Sequence, residues 1–582
     1  MTRSLMDASY PAGSRVAPKI LLAAEVGSNV RLAAFGGVEG SSRLLAVGES
    51  ETTHSAPYFD PAVGFDQARS ALRSQVRFIA DIEDTDPCAV TGGGIGRAAT
   101  VALISNLDAD SHARIVNLVN VQGFDIVAEF HAPNKKLARQ FDPEDLANRL
   151  LLIRASVVAV ALQNDRGWES LAMAVDILKY ALVGRIPGYS PGVMLLHSDD
   201  PEPGLVATLA DEFEFFQVGM RAGLDAQSEQ SLVRSQIAEA YQSVTGRDAA
   251  RFTPAGLDAT TVTPLGQSLG IVAREMAANN GISVVVLHAE PLGALVAISE
   301  GRDFRVGSFG YDADAAAVGH IGLRLPMEEI VGWIPAAISE SMAEAHFRNR
   351  AWRPWLVPET STELLLDHAA AHLALRRAVR SIADPSPPVD LIVCTGRTLS
   401  GAPRLIQAAL CGINAYMPPG YCQLAVDSPG VLAMCGALTA TGTPISAEPY
   451  LVHVATSLSC EGTAKFGADA LAVQVIPRHG EPISRSVAFG AMERITWDGS
   501  VVAEVKSWPG GKLDAGGGKG RATALRSGIT SGIGGLIIDA RGRPLQWPKE
   551  GSLRRAALLQ WFQSTDSYVL PSQDLDWGGV EG

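Results

Sequence analysis

One stretch of the second half of the chain has apolar positions that predict a strand, a glycine turn and a helix in succession. Residues 391–394 form a short apolar run, which is typical of a buried strand. The segment Thr395-Gly396-Arg397 interrupts it, and glycine permits a sharp turn or a close approach to a ligand. Apolar residues then recur at helical spacing over 405–413. The start of such a helix can bind an anion or a nucleotide, and an ordinary strand-to-helix connection is the alternative.

A related pattern lies near the start of the chain. Residues 20–35 contain two apolar runs around a polar tip, which predicts a β-hairpin. At the tip, Gly27, Ser28 and Asn29 offer backbone N–H groups and a hydroxyl to a phosphate. Glu25 stands near the end of the first run, where a carboxylate could hold Mg²⁺ through water. A plain hairpin with a solvated glutamate is the alternative.

The plan of this hairpin recurs at residues 303–319. A strand, a glycine turn and a second strand are predicted, with Gly310 as the counterpart of Gly27. Asp312 and Asp314 follow the turn and could approach Mg²⁺, whereas a solvated turn is the alternative. Two such hairpins indicate a duplicated nucleotide cleft.

The remaining patterns predict further regions. Residues 106–255 contain strand and helix patterns between the two hairpins, which indicates an inserted α/β region. Residues 290–300 and 360–382 are predicted to be helical. Short alternating runs between Gly and Pro turns predict a β-rich C-terminal domain over residues 447–570, with a helix from residue 552.

Length, charge and cysteine content narrow the class of protein. A chain of 582 residues is expected to form several domains. Its net charge of −14 argues against a general nucleic-acid-binding protein, which needs a basic surface. We recognise no signal peptide and no apolar run of membrane-spanning length, so we expect a cytoplasmic protein without a membrane partner. The six cysteines lie mostly in apolar runs and are expected to be reduced and buried.

Several motifs suggest a chemistry that their residues do not complete. The glycine-rich segments at 91–97 and 510–519 lack positions required of a dinucleotide fingerprint and of a P-loop. His112 lies in a segment that resembles the cobalamin-binding signature without its glycine, and a solvated histidine is the alternative. His368 and His372 share a helix face at metal-ligand spacing, but no HExxH glutamate accompanies them. We therefore assign no metal ligand from the sequence.

Motifs that span nearly the whole chain resemble the glutamate mutase L family, the accessory proteins encoded with cobalamin-dependent glutamate mutase. They are EVGSNVRLAAF (25–35), FRVGSFGYDADAAAVG (304–319), VDLIVCTGRTLSGAP (389–403), VDSPGVLAMCGAL (426–438), and GGLIIDARGRPLQWP with the trailing LRRAALLQWF (534–562). The resemblance implies an α/β fold of the actin-like (ribonuclease H-like) type, a duplicated ATPase fold with two lobes, an inserted α/β region and a β-rich C-terminal domain. The implied regions are a flexible tail (1–18), the first half of the actin-like fold (19–105), the inserted region (106–255), the second half (256–446), the C-terminal domain with its terminal helix (447–570) and a second tail (571–582).

The resemblance also implies a nucleotide site shared by the three turns. Glu25 and Asp312 are the implied catalytic residues. The implied nucleotide contacts are Gly27, Ser28, Asn29, Gly310, Asp314, Thr395, Gly396 and Arg397. ATP or ADP with Mg²⁺ is the expected cofactor, and we expect no direct binding of cobalamin.

The chain departs from the family pattern at each turn. Ser308 stands where the second turn usually has an aspartate, and Arg397 replaces the second glycine of the adenosine turn. The first turn continues with Asn29-Val30-Arg31 instead of threonines. Loss of a carboxylate weakens the positioning on which phosphoryl transfer depends. Arg397 either fills the site or binds a phosphate.

These departures favour a nucleotide-binding or degenerate ATPase that acts as chaperone or scaffold for a cobalamin-dependent mutase. The alternative is an active ATPase, a reactivating factor whose hydrolysis of ATP changes its grip on the mutase. A small-molecule kinase of the same fold ranks third, because no additional acidic base is found at a matching position. The expected partners are subunits of such a mutase.

Overall fold

The structure describes most of the chain between residues 19 and 568. A computed structural model describes residues 19–568 except 28, 39–40, 54–59, 77–86, 93–99, 123, 134–139, 154, 163–168, 183–190, 198–201, 220–231, 234, 238, 242, 244–261, 292, 302, 311–324, 384–385, 500 and 549. The two predicted tails lie outside these residues. Within them, no helix combines the length and the apolar character needed to cross a membrane.

Strands and helices alternate through much of the chain. The strands are β1 (Lys19–Val26), β2 (Asn29–Val38), β3 (Ser41–Glu51), β4 (Ala89–Gly92), β5 (Thr100–Ser105), β6 (Asp125–His131), β7 (Val157–Leu162), β8 (Gly192–His197), β9 (Glu214–Gly219), β10 (Val262–Pro264), β11 (Ser283–Glu290), β12 (Gly293–Glu300), β13 (Phe304–Gly310), β14 (Leu391–Thr395), β15 (Gly420–Asp427), β16 (Leu451–Ser459), β17 (Asp469–Pro477), β18 (Ile483–Ala488), β19 (Met492–Ile495), β20 (Val502–Pro509), β21 (Thr523–Thr530) and β22 (Gly535–Asp539). The helices are α1 (Pro61–Gln75), α2 (Ala109–Val121), α3 (Pro143–Ile153), α4 (Glu169–Leu182), α5 (Pro203–Glu212), α6 (Leu265–Asn280), α7 (Met327–Val331), α8 (Glu340–Trp352), α9 (Ser361–Ile382), α10 (Arg397–Ser400), α11 (Leu405–Tyr416), α12 (Leu432–Ala440) and α13 (Gly551–Thr565).

The first sheet has the strand order β3-β2-β1-β4-β10. β1, β2 and β3 form an antiparallel meander, whereas β4 runs parallel to β1 and β10 runs parallel to β4. Helix α1 packs on this sheet through Phe65 and Leu72. The helix begins cleanly, because Asp60 accepts a hydrogen bond from Ala62 N at 2.9 Å and Pro61 occupies the first helical position.

The second sheet repeats this plan and then extends it. Its order is β13-β12-β11-β14-β15-β16-β22-β19. β11, β12 and β13 are antiparallel, and β14 and β15 continue from β11 in parallel. The first five strands of this sheet therefore share both the order and the strand directions of the first sheet. β16, β22 and β19 are added beyond β15, so part of the predicted C-terminal domain belongs to this sheet.

A third sheet, β6-β5-β7-β8-β9, is inserted between β4 and β10 of the first sheet. All of its strands are parallel. β7 and β8 are buried along their whole length, as expected for a sheet with helices on both faces. β5 hydrogen-bonds to β6 and β7, so this sheet begins before the predicted boundary at residue 106. The apolar run of β5 predicts a strand but carries no information about which sheet the strand joins.

The C-terminal segment adds an antiparallel sheet of order β18-β17-β20-β21 and the terminal helix α13. Leu558, Trp561 and Phe562 of α13 enter the core formed by the second sheet and α9. The terminal helix therefore stabilises the second sheet.

The prediction of a helix over residues 290–300 is wrong, because the described residues of this segment lie in strands β11 and β12, apart from a turn residue between them. Glu290 ends β11, and Gly293 begins β12. β12 hydrogen-bonds to β11 on one side and β13 on the other. These partners on both edges override the weak local preference for a helix.

One apolar core connects the first and second sheets. It includes Leu21 and Phe35 of the first sheet, much of α6, Val284 and Val286 of the second sheet, and α12. The two helices are in close contact, since a Cβ atom at Gly436 would lie 2.0 Å from Ser268 O. Packing of α6 against α12 thus holds the two repeated sheets together, with the ends of β1 and β11 facing each other.

Candidate functional site

The two sheets meet at a small cluster of ionisable side chains. β1 and β11 hold the same place in the shared strand order. Each carries an Ala-Glu pair at its carboxyl end, Ala24-Glu25 and Ala289-Glu290. Glu25, His288 and Glu290 offer ligand atoms that all lie within 4.8 Å of one another. Glu25 and His288 are buried and Glu290 is partly exposed, so two acids and an imidazole from different sheets meet at one point.

Burial determines the charge of this cluster. It raises the pKa of Glu25 from 4.5 to about 8; Arg31 lowers this pKa, and the carboxylates of Glu290 and Asp427 raise it further. Burial also lowers the pKa of His288, which keeps its ring neutral. A cation placed among these groups would favour the ionised form of Glu25.

The ring of His288 is poorly satisfied for a buried polar group. Among the described residues, neither of its nitrogens has a hydrogen-bond partner. Its Nε2 lies 3.5 Å from Glu290 Oε1 without a hydrogen-bond geometry. Buried polar atoms are normally paired, so this ring marks the cluster as unusual.

Asp427, at the end of β15, holds the neighbouring loops in place. Its carboxylate accepts hydrogen bonds from Thr395 Oγ1 at 2.8 Å and from the N–H groups of Val431 and Leu432 at 3.1 and 2.9 Å. Burial raises the pKa of Asp427, and these hydrogen bonds oppose that rise. Asp427 thereby connects the end of β14 to the start of α12 and fixes both beside the cluster.

Gly396 turns the chain from β14 into α10 with φ +85°. A Cβ atom at this position would lie 2.6 Å from Ala289 O and 2.8 Å from Ala289 N. Glycine is therefore needed for a close approach to β11. The next N–H group, that of Arg397, donates to Glu290 Oε1 at 2.7 Å. The turn thus orients the carboxylate of Glu290.

Two arginines connect the sheets around the cluster. Arg31 of β2 donates to the carbonyl oxygens of Pro429 and Gly430 at 2.7 and 2.9 Å. The guanidinium of Arg397 binds the carboxylate of Glu49 in β3 and the carbonyl oxygen of Trp355.

Glu49 has two further partners within the first sheet. Arg31 Nε lies 3.5 Å from its carboxylate, and the amide of Asn29 donates to it. Glu49 therefore gathers Asn29, Arg31 and Arg397 at the junction of the sheets. We call these four residues the Glu49 latch.

The predicted site residues are distributed unevenly over this junction. Glu25, Asn29, Thr395, Gly396 and Arg397 lie in or beside it. Gly27 forms the tight β1–β2 turn, with its N–H donating to Asn29 O at 2.8 Å. Ser28, Asp312 and Asp314 lie outside the described residues.

The second hairpin differs from the predicted one. Gly310 ends β13 and pairs with Gly293, the first residue of β12. The turn equivalent to that of Gly27 is the β11–β12 turn, and Glu290 lies at its start. The strand register makes His288 the counterpart of Glu25, because Thr395 pairs with His288 as Thr91 pairs with Glu25. Ser308 points to the inserted region instead, where its hydroxyl lies 3.3 Å from Asn120 Oδ1.

Five residues of the junction were not predicted as site residues from the sequence: His288, Glu290, Asp427, Arg31 and Glu49. A usable signal was present for two of them, because Glu290 and Asp427 are acidic residues at the ends of buried apolar runs. No local pattern distinguished His288, Arg31 or Glu49 from ordinary strand residues.

His112, His368 and His372, which the sequence motifs singled out, each have a hydrogen-bond partner through one ring nitrogen. His112 Nε2 lies 2.7 Å from Glu129 Oε2, and its ring stacks on that of His131 at 3.9 Å. His368 Nδ1 bonds to Tyr568 Oη at 2.8 Å, and His372 Nδ1 bonds to His368 O at 3.0 Å. These contacts are those of packed histidines.

Two cavities formed by the described residues lie away from the junction. One of about 10 Å³ is enclosed by His368, His372 and Trp333, among others. The other, of about 730 Å³, is an open depression at the opposite end of β11, near Ser283 and Glu300. At the junction itself, the Glu49 latch connects the two sheets.

Comparison with known proteins adds little to this geometry. No family model and no curated protein matches the chain. Similar solved structures include nucleotide-free acetone carboxylase (10% identity, 81% of each chain covered, TM-score 0.29) and gluconate kinase from Lactobacillus acidophilus (11% identity, 76% of this chain and 93% of the kinase, TM-score 0.28). A chain of the PilM–PilN type IV pilus biogenesis complex is a third (11% identity, 73% of this chain and 99% of that chain, TM-score 0.23). At such low TM-scores these similarities support no functional conclusion, and membership of the glutamate mutase L family stays a prediction.

Proposed function

We propose that the chain is a two-lobed, actin-like nucleotide-binding protein, with an adenine nucleotide bound where β1, β11 and β14 end. One observation carries this proposal. Two five-stranded units share one strand order, and acidic residues from their equivalent strands, Glu25 of β1 and Glu290 of β11, meet at the junction. Ligands of open α/β sheets bind outside the carboxyl ends of the strands, which is where these residues lie.

In the proposed site, different residues contact the nucleotide and the metal ion. The β1–β2 turn and the turn at Gly396 would contact the nucleotide. Glu25 and Glu290 would face Mg²⁺ or the water molecules that surround it. Mg²⁺ would supply positive charge against the phosphates, and the two carboxylates would orient it.

The Glu49 latch gives the proposed site a means of responding to a nucleotide. A phosphate is a stronger bidentate partner for Arg397 than a half-exposed carboxylate. A bound nucleotide would therefore draw Arg397 away from Glu49 and loosen the contact between the sheets. Binding would change the arrangement of the lobes, as a nucleotide-responsive chaperone requires.

Hydrolysis of ATP is the second candidate activity, and one observation favours it. Ser308 lies on β13 and faces Asn120, whereas Glu290 at the end of β11 supplies an acidic group at the junction. A positioned carboxylate can hold the metal ion or orient the attacking water.

The proposed client is a cobalamin-dependent mutase, with the chain as its accessory chaperone or scaffold. Its support is the resemblance of the five sequence motifs to the glutamate mutase L family. Co-purification with the subunits of such a mutase, with and without ATP, tests the client. Failure to co-purify in both conditions would contradict the proposed mutase client and would leave the proposal of nucleotide binding unaffected.

A thermal-shift titration with Mg-ATP and Mg-ADP tests the nucleotide site. A ligand that binds only the native state raises the melting temperature with its concentration. We expect saturable shifts for both nucleotides and a smaller effect for GTP. Phosphate release that accompanies the shift would identify an ATPase, and an unchanged melting temperature at millimolar nucleotide would contradict the proposal.

A further inference from the structure

We propose that Glu25, His288 and Glu290 bind one divalent transition-metal ion directly, independently of any nucleotide. The three side chains come from both repeated sheets. Their ligand atoms lie within 4.8 Å of one another. Among the described residues, this is the group of three or more His, Cys, Asp or Glu side chains that is close enough to hold a metal ion. The ion would join the first sheet to the second at the ends of β1 and β11.

The strongest support is the unpaired ring of His288. The side chain is 2% exposed, yet neither nitrogen has a hydrogen-bond partner among the described residues. The core histidines His368 and His372 differ, because each bonds through its Nδ1. A neutral buried imidazole beside two carboxylates is the form in which histidine binds a metal. Metal ligation would satisfy a nitrogen that is otherwise unpaired.

The distances suit such an ion after small side-chain adjustments. Metal bonds to histidine nitrogen and carboxylate oxygen are about 2.1 Å long, which places donor atoms about 3 to 4 Å apart in a tetrahedral or octahedral shell. The present spacing of up to 4.8 Å is slightly wider. Rotation of Glu290, which is partly exposed, can bring its carboxylate closer.

The donor set selects the kind of ion. Two carboxylates balance the charge of a divalent cation, and an imidazole favours Mn²⁺, Fe²⁺, Co²⁺ or Zn²⁺ over Mg²⁺ and Ca²⁺. Arg397 N donates to Glu290 Oε1 at 2.7 Å and would orient this ligand. The site shares Glu25 and Glu290 with the Mg²⁺ position of the proposed function and differs from it in the direct imidazole ligand His288.

Equilibrium dialysis of the full chain against MnCl₂, ZnCl₂ or MgCl₂, without nucleotide, tests this site by elemental analysis. We expect one Mn²⁺ or Zn²⁺ per chain and weaker retention of Mg²⁺. His288→Gln and Glu290→Gln should each weaken Mn²⁺ and Zn²⁺ binding at least roughly tenfold. The matched control His453→Gln changes a histidine of β16 outside the cluster and should bind as the wild type does.

A second measurement distinguishes loss of metal binding from unfolding of a variant. Co²⁺ should give a d–d absorption spectrum that changes in Glu290→Gln, whose side chain is partly exposed, and circular dichroism should confirm that this variant is folded. The proposal is overturned if wild type retains no transition metal, or if His288→Gln and Glu290→Gln bind it as tightly as wild type. Because no nucleotide is present, these results do not depend on the nucleotide proposal.

Discussion

Arg397 and Glu49 lie 348 positions apart in the chain, yet the guanidinium of one binds the carboxylate of the other across the two repeated sheets. Arg397 also donates a hydrogen bond to Trp355 O, and Glu49 also accepts one from the side-chain amide of Asn29. The ion pair therefore belongs to a contact between the two repeated sheets. Whatever binds at the ends of β1 and β11 has to coexist with this contact or break it.

Removal of the Glu49 charge should strengthen nucleotide binding. Glu49→Gln releases Arg397 for a phosphate and removes a negative charge that repels one. We expect Mg-ATP to bind roughly fivefold more tightly, equivalent to about 1 kcal/mol, the upper range for a half-exposed ion pair. Isothermal titration measures the change.

The control for Glu49→Gln is Glu329→Gln. It removes the carboxylate of another exposed ion pair, which binds Arg377 at 2.8 Å away from the junction. This variant should bind Mg-ATP as the wild type does. Unchanged or weaker binding by Glu49→Gln would show that the latch does not compete with the nucleotide.

Gly396→Ala should destabilise the protein more than its backbone conformation explains. Gly396 and Gly442 share φ +85°, but a Cβ atom at Gly442 would meet nothing within 4 Å, whereas one at Gly396 would lie 2.6 Å from Ala289 O. Gly442→Ala should cost on the order of 1 kcal/mol for strain. Gly396→Ala should cost about 2 kcal/mol more because β11 and β14 have to separate.

Urea unfolding of the two glycine variants measures this difference. Equal losses of stability would mean that the close approach of β14 to Ala289 O is not maintained in solution. The comparison needs no ligand, so it tests the geometry of the turn by itself.

Acid should destabilise the protein through two buried histidines. Burial lowers the pKa of His368 to about 4 and that of His372 to about 3. In the unfolded chain both rings have the ordinary pKa of about 6.5. As the pH falls from 6.5 to 4, the unfolded state therefore takes up protons first, and the free energy of unfolding decreases. As the pH rises through this range, stability returns.

His372→Leu should flatten this pH dependence, because it removes one of the two groups. The difference between pH 6.5 and 4.5 should be on the order of 1 to 3 kcal/mol smaller than in the wild type. His479→Leu changes an exposed histidine and provides the control. Denaturant unfolding at three pH values measures the free energy of unfolding. The prediction is contradicted if this free energy changes with pH by the same amount in wild type and in His372→Leu.

Much of the local structure was predictable because it depends on neighbouring residues. The hairpin at residues 20–35, the strand at 391–394 with its following helix, and the helix over 360–382 are confirmed as β1–β2, β14–α11 and α9. Each has a strong apolar pattern with clear ends. The α/β class follows from the same patterns.

The junction was less predictable because it forms from residues that are far apart in the chain. Glu290 and His288 become notable only when β11 is known to lie opposite β1. The prediction of a helix over residues 290–300 removed that clue. Arg31 and Glu49 read as solvated strand residues until the second sheet is placed against them. Sequence patterns specify elements, whereas this site is specified by how sheets are paired.

Photolabelling with an azido-adenine analogue of ATP tests the central claim most directly. The claim is that one nucleotide site lies where the two repeated sheets meet. After irradiation and digestion, the label should be found on peptides that contain residues 24–31 or 395–405, and excess unlabelled ATP should prevent it. Label confined to other peptides, or label that ATP does not displace, would contradict the claim.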